Sequence, residues 1–197
     1  MKVLLATKNK GKIKDFEKLT EGMDLEVVTI LDGLEIPDVV EDGETFEENS
    51  RKKAKEIADY TNIVTISDDS GLCVDALDGG PGVYSARFGG ENTSDSEKNQ
   101  KMLEILKDVK KEDRKAHFVS VVSIAFPNGE IHSFRGEIEG EILFEAKGNN
   151  GFGYNPIFYS YELGKSFGQA SDEERKSVSH RARAFRKLIA SGLLEEK

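Results

Sequence analysis

A chain of 197 residues with 37% hydrophobic and 33% charged residues can bury a real core, as one domain or as two lobes sharing a sheet. Nothing in it approaches the roughly 20 apolar residues that span a bilayer, and a formal charge of −9 argues against a broad basic surface for nucleic acid. The apolar run in MKVLLATKNK is too short for a signal-peptide core, so the expectation is a cytoplasmic protein. The single cysteine, Cys73, excludes an intrachain disulfide and a cysteine-rich metal site, and in Gly-Leu-Cys-Val it reads as a small core residue.

In chain order, residues 2–6 form a short apolar run that predicts a buried strand, followed by a polar loop over 7–12 and a helix carrying Ile13, Phe16 and Leu19. Residues 25–30 predict a second strand. Thr45 and Glu48 have the spacing of a capping box, opening a helix to about Tyr60. Residues 63–67 predict a strand that ends at Asp68-Asp69-Ser70-Gly71. The stretch 77–82 must turn, 89–92 reads as a loop, and a helix over about 94–107 carries Met102, Ile105 and Leu106. Two long strands, 116–126 and 130–140, flank Pro127-Asn128-Gly129, a strong hairpin signal. A loop over 148–153 precedes one closing helix in which Val178, Ala182, Phe185 and Ile189 share a face. These elements make a mixed α/β architecture with no internal repeat or interdomain linker, a single domain over 1–197.

Four places carry chemistry. The loop Thr7-Lys8-Asn9-Lys10-Gly11-Lys12 leaves a strand and enters a helix, where backbone N–H groups, the helix dipole and three lysines suit phosphate, although the P-loop spacing is absent. Asp68 and Asp69 sit at a strand end, where ligand sites of open α/β sheets gather, and with Glu41 or Glu44 they suit a hard cation such as magnesium. Glycines flank the aromatics in Gly151-Phe152-Gly153-Tyr154-Asn155-Pro156, which exposes a ring for a purine or packs it back on the core. Lys176-Ser177-Val178-Ser179-His180-Arg181 places donors at a helix start. Each basic cluster is also readable as a solvated helix face.

Taken in order, ATKNKGK, SDDSGLCVDALDGGPGVYSARF, GFGYNPIF and SHR resemble the inosine triphosphate pyrophosphatase family, over nearly the whole chain. The resemblance implies an elongated mixed β-sheet flanked by helices, two lobes with a central cleft, and a homodimer. The implied reaction is hydrolysis of non-standard purine triphosphates such as ITP, dITP and XTP to monophosphate and pyrophosphate. It implies that the loop from Thr7 to Lys12 holds the triphosphate, with Asn9 and Lys12 most directly involved and Lys53 also in reach. Asp69 would bind Mg2+ and act as, or orient, the base, with Asp68 and Glu41 completing the acidic surroundings. Ser70 would touch substrate, and Phe152, Gly153, Tyr154 and Asn155 would stack on and frame the purine. His180 and Arg181 would read the 6-oxo group, an acceptor where adenine offers a donor.

Two positions depart from the family pattern. Asn155 stands where Asp is usual, and Arg175, followed by Lys176, stands where a lysine five residues before the histidine is usual. Arginine and lysine are not equivalent at a close phosphate contact. Two rival readings are a related pyrophosphatase for modified pyrimidine nucleotides and a nucleotide-binding regulator without catalysis.

Overall fold

The structure, a computed structural model, describes every residue except Glu91, Glu196 and Lys197. Glu91, expected in the 89–92 loop, therefore lies outside the described residues. The chain opens as anticipated. Strand β1 (Lys2–Leu5) buries Val3, Leu4 and Leu5, and helix α1 (Lys10–Leu19) follows from an Asn9 cap. Strand β2 (Glu26–Thr29) runs parallel to β1 on one side and β3 (Val64–Val74) parallel to it on the other. Helix α2 (Phe46–Thr61) starts at the predicted capping box, with the Thr45 side chain accepting from Glu48 N and the Glu48 carboxylate accepting from Thr45 N.

Helix α3 (Asp95–Ile105) is capped by Ser94 and leads to β4 (Lys115–Ala125) and β5 (Ile131–Ile142). The hairpin at Pro127-Asn128-Gly129 is closed by Phe126 N donating to Glu130 O at 2.8 Å. Short antiparallel strands β6 (Phe158–Ser160) and β7 (Lys165–Ser166) extend β5. The result is a seven-stranded mixed sheet in the order β2-β1-β3-β4-β5-β6-β7, flanked by helices as expected. Helices α4 (Asp172–Val178) and α5 (His180–Ala190) close the chain.

Two expectations are corrected. The strand expected to stop before the acidic pair continues through it to Val74, because Leu72, Cys73 and Val74 are buried and hold the chain in the sheet. The single closing helix is two helices, interrupted at Ser179, whose backbone is extended (φ −61°, ψ 145°). Val178 joins one core and Phe185 and Ile189 another, so their shared spacing does not reflect one shared face.

Contacts divide the chain into two compact units. The first takes Met1–Asp69, Ser120–Gly136 and the residues from Arg181 onward; the second takes Ser70–Val119 and Glu137–His180. In the first unit, strand alternation sends Val3, Leu5, Ile66, Val122 and Ile124 to one sheet face, where α1 and α5 cover them through Phe16 and Phe185, with ring centroids 5.2 Å apart. Leu4 and Ala6 turn to the opposite face, where Ile57 of α2 packs, and Ala54 and Ala58 of α2 meet Ala125. Ser50 of α2 also meets Ser123 across that face, Oγ to Oγ at 2.7 Å. The second unit has its own core around Phe118, Phe158 and Phe167, with Met102 and Leu106 from the α3 region. Cys73 is buried, as expected.

Candidate functional site

In the first unit, the loop over 7–12 is built around Asn9. Its Oδ1 accepts from Gly11 N at 2.9 Å and Lys12 N at 3.2 Å, and its own N donates to Thr7 Oγ1 at 3.1 Å. Asn9 therefore caps α1, satisfying two of the donors a helix start leaves over. Lys8 and Lys10 are exposed, whereas Lys12 turns inward and places Nζ 2.8 Å from Asp68 Oδ2.

Asp68 and Asp69 are consecutive residues of β3, and consecutive strand side chains leave opposite faces of a sheet. Asp68 is buried on the α1/α5 face and meets Lys12 together with Arg181, whose Nε lies 3.3 Å from the same Oδ2. Burial alone would raise the Asp68 carboxyl, but Lys12, Arg181 and Lys53 outweigh it and hold it well below the usual carboxylate range. Asp69 faces α2 and accepts a hydrogen bond from Asn49 Nδ2 at 3.1 Å. Burial pushes its carboxyl up to about 6; Glu41 and Asp68 act in the same direction, while the Asn49 bond and Lys12 pull it down. Glu41 is ion-paired with Lys53 of α2.

Asp68 and Asp69 therefore leave β3 on opposite faces. Asp68 is the counter-ion of Lys12 and Arg181 on one face, and Asp69 lies close to Glu41 on the other. Among the described residues, no three His, Cys, Asp or Glu side chains form a ready ligand set. Magnesium does not require one, since it binds through one or two carboxylates and completes its octahedron with water and phosphate oxygens.

The second unit holds the other expected positions, beginning with Ser70 on β3. Phe152 is 56% exposed, so its ring is available for stacking. Tyr154 is buried, and its hydroxyl donates to Ser85 O at 2.8 Å. Gly153 N donates to Asp95 Oδ2 at 2.6 Å and Gly153 O accepts from Asn99 Nδ2 at 3.1 Å, so two residues one turn apart on α3 hold both peptide groups flanking Gly153. A Cβ on Gly151 would lie 2.0 Å from Asn155 Nδ2 and 3.4 Å from the Arg175 guanidinium carbon, and its φ of +80° also favours glycine.

Arg175 bonds to its own local segment. Its Nη1 donates to Phe167 O at 3.0 Å and Ala170 O at 2.5 Å, and its Nη2 pairs with Asp172. It thus latches the 167–172 segment onto α4. His180 stacks on Phe118, with centroids 5.0 Å apart and planes 12° apart. Between His180 and Arg181 the chain passes from the second unit to the first.

Asn49, Asp95 and Asn99 were not anticipated. The available signal was an Asn within the buried stripe of α2 (Phe46, Asn49, Ser50, Ala54, Ile57), and an Asp and Asn one turn apart on α3.

The sequence pattern of the Ham1 family matches residues 3–191. A dITP/XTP pyrophosphatase of Exiguobacterium sibiricum is 46% identical over 191 residues, 97% of this chain and 96% of that protein. A dITP/XTP pyrophosphatase of Bacillus anthracis is 48% identical over 188 residues, 94% and 93% of the two chains. Among solved structures, the Ham1 protein of Staphylococcus aureus matches with a TM-score of 0.91 and 42% identity, covering 100% of both chains.

Proposed function

We propose, for a chain that belongs to the Ham1 family, that it hydrolyses non-standard purine nucleoside triphosphates, dITP, ITP and XTP, to the monophosphate and pyrophosphate. Relatives named for dITP and XTP support the substrate class. Within the chain, the opposed environments of Asp68 and Asp69 carry the reading, because they separate charge-organising from chemistry.

A triphosphate carries about four negative charges that must be offset before water can attack phosphorus. Lys12, held inward by Asp68, and Lys53, held by Glu41, are cations already positioned on their elements, and the exposed Lys8 and Lys10 add charge at the same helix start. Asp69 and Glu41 would hold the divalent cation; their oxygen-only chemistry suits Mg2+. That ion, when bound, supplies further neutralisation and lowers the pKa of a bound water. Asp69 takes or steers the proton of the attacking water from its place beside the cation it would help to hold. Phe152 stacks on the purine beside Asn155, and His180 and Arg181 donate to its 6-oxo group. Lys176 supplies the cation expected near them. Ser70 touches substrate next to Asp69.

The two units are read as lobes of one domain, and the family resemblance supports a homodimer. A cytoplasmic setting agrees with the acidic composition, and no helix among the described residues is long and apolar enough to cross a membrane. The test is Asp69→Asn, scored by Mg2+-dependent pyrophosphate release from dITP. The variant should lose at least about a hundredfold in kcat, within the range for a lost acid–base group; wild-type turnover would overturn the assignment.

A further inference from the structure

We propose that Asn49 is a positioning residue that ties Asp69 and the Glu41 segment into one cation-binding geometry; this rests on the reading of Asp69 and Glu41 as the cation's ligands. Asn49 lies in the first turns of α2, is 2% exposed, and uses both ends of its carboxamide. Nδ2 donates to Asp69 Oδ2 at 3.1 Å, and Oδ1 accepts from Gly43 N at 2.7 Å. A backbone N–H can only donate, so the amide must turn its oxygen to Gly43 and its NH2 to the carboxylate. No other side chain of this size offers an acceptor and a donor in that arrangement.

Gly43 follows Glu41 by two residues. A Cβ there would lie 2.7 Å from Asn49 Oδ1 and 2.8 Å from Glu48 Cβ, so the segment is pressed directly onto α2. One turn along the same helix, Lys53 pairs with the Glu41 carboxylate. Asn49 thus fixes the backbone of the segment, Lys53 fixes its carboxylate, and Asn49 also orients the carboxylate of Asp69 on β3. Outer residues that orient cation ligands contribute about 10- to 100-fold to affinity or activity.

The experiment measures Mn2+ binding to the nucleotide-free protein by water-proton relaxation, then the Mg2+ dependence of dITP hydrolysis. Asn49→Ala removes both bonds. Gly43→Ala keeps Asn49 but drives the backbone away from its oxygen, so either variant that folds suffices, each measured below its own unfolding midpoint. Both should weaken Mn2+ about tenfold or more and raise the half-saturating Mg2+ similarly, with KM for dITP at saturating Mg2+ within about twofold of wild type. Adding Gly43→Ala to Asn49→Ala should weaken binding much less than the single effects combined. Wild-type Mn2+ affinity in the folded variants overturns the proposal. Asp69→Asn separates the two claims: if it abolishes Mn2+ binding while Asn49→Ala does not, only the positioning role fails; if it changes nothing, the cation-site reading fails with it.

Discussion

On an extended strand, adjacent side chains are separated by the sheet itself, so Asp68 and Asp69 share a sequence context but not an environment. Isosteric neutralisation should therefore act in opposite directions at the two positions. Asp68→Asn leaves Lys12 and Arg181 without their buried counter-ion, a loss that costs about 3–5 kcal/mol and is readable as a lower urea midpoint at pH 7. Asp69→Asn should stabilise the metal-free protein. A folded-state carboxyl raised to about 6 from 3.8 favours folding below the lower value, and that contribution is lost as pH rises through 6. Wild type and variant should match near pH 4, and the variant should lead by about 3 kcal/mol at pH 7. Urea unfolding at both pH values checks this; a variant less stable than wild type at pH 7 would contradict the assigned environment. Such a gain in stability with loss of turnover is the trade-off expected at a functional site. The two acids were legible as a candidate site, but their faces were not. Asp-Asp-Ser-Gly reads locally as turn-forming, and the burial of Leu72 to Val74 overrides that preference.

At the scale of elements, α3 holds Gly153 through Asp95 and Asn99. Phe152→Ala should raise KM for dITP about tenfold with kcat retained, since stacking of a base on an aromatic contributes about 1–3 kcal/mol, and should barely move the unfolding midpoint because the ring is exposed. Asp95→Ala should raise KM by a smaller factor and add almost nothing in the Phe152→Ala background, a coupling that steady-state kinetics of the double mutant measures. Additive effects would show that the Asp95 bond to Gly153 does not position the ring. The capping box at Thr45 and the Pro-Asn-Gly hairpin are local chemistry and were readable in advance. The break at Ser179 was not. Val178, Ala182, Phe185 and Ile189 keep helical spacing across it, and only the separate cores receiving Val178 and Phe185 reveal two helices.

Across the molecule, the chain crosses between its two units at Asp69, Val119, Gly136 and His180, so motifs far apart in sequence are sorted by unit rather than by order. Lys12, Glu41, Lys53, Asp68, Asp69 and Arg181 gather in the first; Phe152, Asn155, Lys176 and His180 belong to the second. Composition and periodicity lead only to an acidic α/β protein with clustered cations. The ordered motifs point further, to a purine triphosphate. The burial of Tyr154 against Ser85 depends on a tertiary neighbour, and the bonding of Arg175 on how residues 167–172 fold back onto α4; no motif encodes either. The central claim is tested most directly by pyrophosphate release with Mg2+ across dITP, ITP, XTP, the four standard triphosphates and modified pyrimidine triphosphates. The account predicts that kcat/KM for the three 6-oxopurine substrates exceeds that for ATP and for every pyrimidine by at least about tenfold, with monophosphate formed in equal amount. Preference for a modified pyrimidine, or release of orthophosphate in place of pyrophosphate, would contradict it.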